Sequence, residues 1–350
     1  MSEQPPILIR VEGRAGRVTL NRPKVIHALN HEMCQRMFDA LMVWKDDPNV
    51  ELVVVDHLPG SRGFCAGGDV KMISASGAAD GVEARAFFAL EYNLNTLIKH
   101  YPKPYVPIMN GVTMGGGKGI AIFGSHRVST ENSVLAMPEG NIGLFPDVGG
   151  GWFLPRLAGE VGTWMALTGG RVSGIETLAT GISTHYTAAN TIPNLMQDLC
   201  DKGITALDDL ESMAKPENPE QLAAIDRCFA SDDVDQILHA LSGEDDAWSH
   251  EQGKIIQQKC PMTVKVALKQ LRMGAVAQNF AQWMAIEYRI GSRMCRRPDF
   301  REGVRAVLID KDQNPSWSPA HLSQINEQDV QVMFEPLVDE LELLPGVPNR

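Results

Sequence analysis

Residues 109–151 read MNGVTMGGGKGIAIFGSHRVSTENSVLAMPEGNIGLFPDVGGG, and the interpretation of the whole chain turns on them. Gly115, Gly116 and Gly117 are followed by Lys118, Gly119 and the apolar run Ile120 to Phe123, so a tight turn is expected to open directly into a helix. The first N–H groups of such a helix have no intrahelical partner and point outward. Downstream, Glu139 follows Pro138 and Asp147 follows Pro146, placing two acids eight positions apart, each beside a residue that restrains the backbone. A carboxylate can serve as base or nucleophile, and backbone N–H groups can hold an oxyanion. Together they describe acyl chemistry without a metal. The plainer readings stay open at this point. Glycine runs also serve turns and close packing, Pro-Glu suits a first helical turn, and Asp147 fits a turn of its own.

Upstream, SRGFCAGGDVKMI (61–73) surrounds a second turn with Gly63, Gly67 and Gly68. Asp69 stands where it caps a helix containing Val70, Met72 and Ile73, which makes this a second candidate N–H donor site. Residues 74–82 are small and polar and are expected to form a mobile loop before a helix over about 83–99. Ile7 to Glu12 and Arg17 to Leu20 read as a hairpin, His31 to Lys45 as a helix, and Leu52 to Val55 as a strand buried on both faces. Lys103 to Met109 is the strand leading into the glycine run. Strand and helix signals alternate to about Ile192. Beyond it helix dominates, with expected segments at 204–213, 219–229, 234–241, 245–259, 264–271 and 280–295. We place a soft boundary near residue 200, with a mixed core over 1–200 and a mostly helical region over 201–350. The tail LELLPGVPNR (341–350) is expected to fray.

Composition narrows the function classes. The 350 residues are enough for a substantial core, and 44% hydrophobic with 21% charged residues is ordinary globular usage. A net charge of −11 argues against nucleic acid and against an anionic membrane surface, so an anionic ligand needs a local basic patch. The six cysteines are scattered without CxxC spacing, which leaves free thiols as the default. The N-terminal MSEQPPILIRVEG has neither a secretory nor a transit pattern, and the chain is expected to be soluble and cytoplasmic.

Other catalytic schemes fare worse. GxxxxGK[ST], GxGxxG in a strand-to-helix setting, GxSxG and HExxH are all absent, so nucleotide, serine-nucleophile and zinc readings lose ground and no metal is expected. His27 and His31 are four apart but lack a third ligand, and both are read as surface or capping residues. Cys65 has no adjacent base and is read as small and buried.

Taken in order, SRGFCAGGDVKMI, NGVTMGGGKG, MPEGNIGLFPDVGGG and the late DFREGVRAVLIDKDQNPSW resemble the crotonase (enoyl-CoA hydratase/isomerase) superfamily, most closely its 3-hydroxyisobutyryl-CoA hydrolase branch. The likeness runs from about Ile7 to Trp317. It implies an α/β fold, a β-β-α spiral of perpendicular sheets followed by a helical C-terminal region. It also implies hydrolysis of short 3-hydroxyacyl-CoA thioesters, with 3-hydroxyisobutyryl-CoA in valine breakdown as the favoured substrate. CoA then belongs to the substrate, and no separate cofactor is implied. Residue by residue, Gly68 and Gly116 match the two N–H donors to the thioester oxygen. Glu139 matches the acid shared by hydratases and hydrolases, and Asp147 the acid typical of the hydrolase branch. Glu91, in FFALEYNLN, matches a further substrate-contacting acid, although an exposed helix glutamate competes with that reading. Lys24 in NRPK and Lys311 in IDKD fall in segments resembling the CoA-contacting parts, against the alternative of solvated surface lysines. Hydratases of the superfamily carry a second glutamate where this chain has Gly119, and hydration needs two coordinated acid/base groups. An enoyl-CoA hydratase or isomerase and a non-catalytic CoA-binding protein are the rival readings. A homo-oligomer is compatible with the long helical region.

Overall fold

The strand Leu52–His57 (LVVVDH) shows how the layers arise. Its side chains alternate between faces, and both faces are apolar: Val53 and Val55 enter the main core, whereas Leu52 and Val54 enter a smaller cluster beneath the helix Ile192–Lys202. In this computed structural model, which describes residues 5–350, it is the third of ten strands. The first two, β1 (Ile7–Glu12) and β2 (Ala15–Leu20), form the expected antiparallel hairpin, with Ile7 opposite Leu20 and Gly13 in the turn at φ 55°. After β3 (Leu52–His57) come β4 (Gly63–Cys65), β5 (Tyr105–Met109), β6 (Val112–Met114), β7 (Val128–Ser129), β8 (Val134–Ala136), β9 (Arg171–Ser173) and β10 (His185–Tyr186).

The chain passes repeatedly from one sheet to the other. A six-stranded sheet runs in the order β1-β2-β3-β5-β7-β10, and a four-stranded sheet in the order β4-β6-β8-β9. Thus β3 leads to β4, β5 to β6 and β7 to β8, each pair spanning both sheets before the chain returns. Helices fill the returns: α2 (Val70–Ala78) and α3 (Val82–Lys99) between β4 and β5, and α4 (Gly116–Gly119) after β6. This is the β-β-α spiral that the resemblance implies. Within the second sheet β4 pairs with β6, and β6 with β8, always parallel. Parallel neighbours present their C-terminal ends side by side, and that property builds the site.

Capping follows the sequence. The side chain of Asn30 accepts the Met33 N–H at 2.9 Å at the start of α1 (His31–Trp44), and that of Asp69 accepts from Met72 at 3.3 Å at the start of α2. After residue 192 helix dominates, notably at Pro261–Ala275 and Phe280–Met294, and the main core draws on both halves through residues such as Phe145 and Trp283.

Four local expectations are corrected. Residues 74–78 continue α2 instead of looping, because Ile73, Ser74, Ser76 and Gly77 are buried, with Gly77 against the backbone of Cys295. The helix after the glycine run is a single turn, ending at Gly119. In place of a helix over 204–213 there is a 3-10 stretch, Gly203–Leu207, after which Glu211 bridges to Tyr186. The tail is docked: the Leu344 N–H donates to Asn93 Oδ1 at 2.8 Å, Asn93 donates to the Glu342 carbonyl at 3.0 Å, and Leu341, Leu343 and Leu344 pack on the core. Apolar side chains outweighed the terminal position.

Candidate active site

The three parallel strands β4, β6 and β8 deliver three candidate residues to one place. Gly68 lies three residues beyond β4, Gly116 two beyond β6, and Glu139 three beyond β8. A Cβ built on Gly116 would stand 3.3 Å from the amide nitrogen of Gly68, so the two candidate N–H donors are immediate neighbours. The turns that present them demand glycine, since Gly67 has φ 122° and Gly115 has φ 47°. Gly116 opens α4 and has no acceptor within it.

These residues line a cavity of about 400 Å³ together with Glu91, Glu139 and Asp147. Phe87, Ile142, Leu144 and Leu308 give it apolar walls. Glu91 comes from α3, where it is buried, contrary to the exposed alternative. Its Oε1 would be 2.3 Å from a Cβ on Gly116, which excludes any side chain there unless the carboxylate moves. Asn95, one turn further along the same helix face, stands against Gly119. A Cβ at Gly119 would lie 2.7 Å from Asn95 Nδ2 and 2.9 Å from Val148 Cβ.

Asp147 is carried by a strained turn. Val148, β-branched, has φ 52°, and Gly149 follows at φ 80°. Glu287, from the distant helix Phe280–Met294, holds this turn by accepting N–H bonds from Gly149 at 2.7 Å and Gly151 at 3.0 Å. Trp283 Nε1 and Gln270 Nε2 complete its shell at 2.8 and 3.0 Å. Gln270 also donates to the Pro146 carbonyl at 2.9 Å. Tyr92 Oη reaches Asp147 Oδ2 at 3.5 Å.

The electrostatics follow from crowding acids in a dry place. Burial pushes Glu91 up to about 8 and Glu287 up to about 7. Burial lifts Asp147 well above the usual carboxylate range, and the charges of Glu91, Glu139 and Glu287 add to this. Glu139 is raised by burial, but the Lys118 ammonium 3.7 Å from its Oε1 opposes the rise. Neither Glu139 oxygen has a hydrogen-bond partner among the described residues.

The two lysines expected at CoA are not part of the cavity lining. Lys24 and Lys311 are exposed and do not line the cavity, although Val25 and Leu308 near them do. The cations on the cavity lining are Arg22 and Lys71. Sequence reasoning passed over Lys71 although it sits in the quoted GGDVKMI stretch, and it passed over Lys118 within the glycine run. Glu287 gives no signal in the sequence, since its role depends on a contact across 138 residues. His27 is neither a surface nor a capping residue. It is fully buried, its Nδ1 accepts the Arg22 N–H at 3.0 Å, and α1 is capped by Asn30 instead. All six cysteines are buried free thiols, Cys65 among them.

Comparison with known proteins adds an independent line. A family model described as enoyl-CoA hydratase/isomerase matches residues 15–334. The protein named "3-hydroxyisobutyryl-CoA hydrolase, mitochondrial" from Danio rerio is 39% identical, with 96% of this chain and 91% of that protein covered. Its Homo sapiens counterpart is 38% identical, with coverages of 95% and 89%. Among solved structures, one titled as a carnitinyl-CoA dehydratase from Mycobacterium thermoresistibile superposes with a TM-score of 0.93 at 38% identity, covering 98% of this chain and all of that one. Another, titled as an enoyl-CoA hydratase from Rhodobacter sphaeroides 2.4.1, has a TM-score of 0.88 at 36% identity, with coverages of 95% and 98%. The expected cytoplasmic location is overturned, because the curated relatives are named as mitochondrial proteins. Charge balance and buried free thiols are common to every reducing aqueous compartment, so they carried no information on which one.

Proposed function

The chain belongs to the enoyl-CoA hydratase/isomerase family, and within it we propose that the chain hydrolyses short 3-hydroxyacyl-CoA thioesters, with 3-hydroxyisobutyryl-CoA as principal substrate. In this reading it releases 3-hydroxyisobutyrate and CoA in valine breakdown, and 3-hydroxypropionyl-CoA is the natural second substrate. The observation that carries the choice of hydrolysis over hydration is Gly119. Its surroundings are filled by Asn95 and Val148, so the position of the second hydratase glutamate has neither a carboxylate nor room for one.

The thioester carbonyl oxygen sits between the N–H groups of Gly68 and Gly116, which meet the negative charge as it forms. Glu139 then either attacks the carbonyl carbon or takes a proton from an attacking water. The carbon–sulfur bond breaks, sulfur leaves as the CoA thiolate, and it acquires the proton that water gives up. In the nucleophilic route a mixed anhydride on Glu139 is hydrolysed in a second step. Asp147, its carboxyl raised by burial and by the acids around it, orients the 3-hydroxyl or the water by hydrogen bonding, and Glu91, pushed up to about 8, donates to the acyl portion. Arg22 and Lys71 are the cations nearest to hand for CoA phosphates at the cavity, with Lys24 and Lys311 further out. No other cofactor is required by this chemistry.

The dehydratase and hydratase named among the structural relatives keep a second reading in view, since Glu91 beside Gly116 offers a different second acid for hydration. A thiol-release screen with 3-hydroxyisobutyryl-, 3-hydroxypropionyl-, 3-hydroxybutyryl- and acetyl-CoA tests the proposal. The expected result is preference for the first two, abolished in Glu139→Ala and sharply reduced in Asp147→Ala. No thiol release from any of them would defeat it and favour a CoA-binding protein. Single-turnover hydrolysis in ¹⁸O water separates the two routes: label in Glu139 means nucleophilic attack, and label in the product alone means general-base catalysis.

A further inference from the structure

Lys118 is a charged side chain that the reaction as written does not use. It is 0% exposed and does not line the cavity, so it does not touch substrate. Its Nζ donates to the Ala136 carbonyl at 2.6 Å, contacts Met137 Sδ, and lies 3.7 Å from Glu139 Oε1. A buried ammonium is costly without a counter-charge, and Glu139 is its only salt-bridge partner among the described residues. The reverse also holds. The two oxygens of Glu139 have no hydrogen-bond partner among the described residues, and the charge of Lys118 is the largest influence that favours its ionisation.

The acids around Glu139 have the opposite effect, since like charges disfavour its ionisation. Asp147 faces it from the following turn, Glu91 from α3, and Glu287 and Tyr92 stand behind Asp147. Lys259, at the entry to the helix Pro261–Ala275, is directed to Asn141 Oδ1 at 2.5 Å. Acids this close cannot all ionise together, so something must select which one does.

We propose that Lys118 is a positioning residue whose ammonium keeps Glu139 as the carboxylate while the neighbouring acids retain their protons. The inference rests on the reading of Glu139 as the reacting group. It gives the cavity one defined base or nucleophile beside two hydrogen-bond donors. Burial weakens the Lys118 ammonium and the charge of Glu139 opposes that, as expected for a mutually dependent pair.

The experiment is a pH titration of the Glu139 carboxyl by its ¹³C shift, with parallel kcat/KM profiles, in wild type, Lys118→Met and Lys118→Arg. In Lys118→Met both the titration and the acidic limb should rise by about 1 to 3 pH units with KM little changed, and Lys118→Arg should bring them back toward wild type. An unmoved titration and limb would overturn the proposal, whatever the loss in rate. If Lys118→Met does not fold, the double variant Lys118→Met/Glu139→Gln decides. Folding of the double variant supports the pair, and failure of both assigns Lys118 to packing. Full hydrolysis by Glu139→Gln would instead sink the catalytic reading of Glu139, while the ¹³C titration still reports on Lys118.

Discussion

The Glu287 carboxylate accepts the Gly149 N–H at 2.7 Å and so ties a helix of the C-terminal half to the turn that carries Asp147. Because Val148 in that turn has φ 52°, the conformation persists only where its surroundings enforce it. Glu287→Ala leaves the donors of Gly149, Gly151, Trp283 and Gln270 unpaired and should cost about 1–3 kcal/mol of stability for each one that stays unsatisfied. Glu287→Gln keeps the shape and should cost less. Where Glu287→Gln remains folded, kcat should fall more than KM rises. Urea unfolding and steady-state kinetics check this, and unchanged values in both variants would remove Glu287 from the account.

Gly116→Ala should fold yet lose about 10²- to 10³-fold in kcat, the scale of losing one oxyanion donor. The new Cβ meets Glu91 Oε1 at 2.3 Å and the Gly68 nitrogen at 3.3 Å. The double variant Gly116→Ala/Glu91→Ala relieves the first contact and leaves the second. Activity restored in the double variant to the level of Glu91→Ala would show that Gly116 matters only for space around Glu91.

Stability should decline from about pH 6.5 to pH 8, above the range in which the depressed imidazoles of His27, His100, His126 and His185 act with the opposite sign. Burial holds Glu91 at about 8 against an ordinary 4.5, so the native state keeps a proton that the unfolded chain has released. Its contribution is complete below the unfolded value and is lost as pH rises toward the folded one. Asp147, Glu139 and Glu287 are raised as well and act with the same sign. Glu91→Gln should flatten the decline, raising stability at pH 8 by on the order of a few kcal/mol. Thermal melts across this range test it, and an identical slope in the variant would contradict it.

Lys71→Ala should raise KM for an acyl-CoA several-fold more than for the matching pantetheine thioester, because Lys71 lines the cavity and Lys311 does not. Lys311→Ala should have the smaller effect. The reverse ranking would favour Lys311, the assignment drawn from the sequence.

Much of this architecture was legible because it is written in local chemistry. The hairpin, the doubly buried β3 and the capping by Asp69 each follow from short-range pattern. Gly68, Gly116, Glu139 and Asp147 were nameable because they sit in glycine- and proline-marked turns. What stayed hidden depends on contacts between distant segments. Glu287 reaches Gly149 across 138 residues, and Asn93 pins a tail whose composition reads as free. His27 carries no mark of being buried. Lys118 was visible as a residue but not as a partner of Glu139, since that contact requires β6 and β8 to be neighbours.

The central claim is that a cavity with Gly119 in place of a second glutamate hydrolyses thioesters instead of hydrating double bonds. It is tested most directly by measuring, on one preparation, thiol release from 3-hydroxyisobutyryl-CoA and loss of enoyl absorbance from crotonyl-CoA, with Glu139→Ala as control. Glu139-dependent thiol release is expected to be at least about 10²-fold faster than water addition, the scale of one acid/base group. Water addition to crotonyl-CoA matching or exceeding thiol release would contradict it.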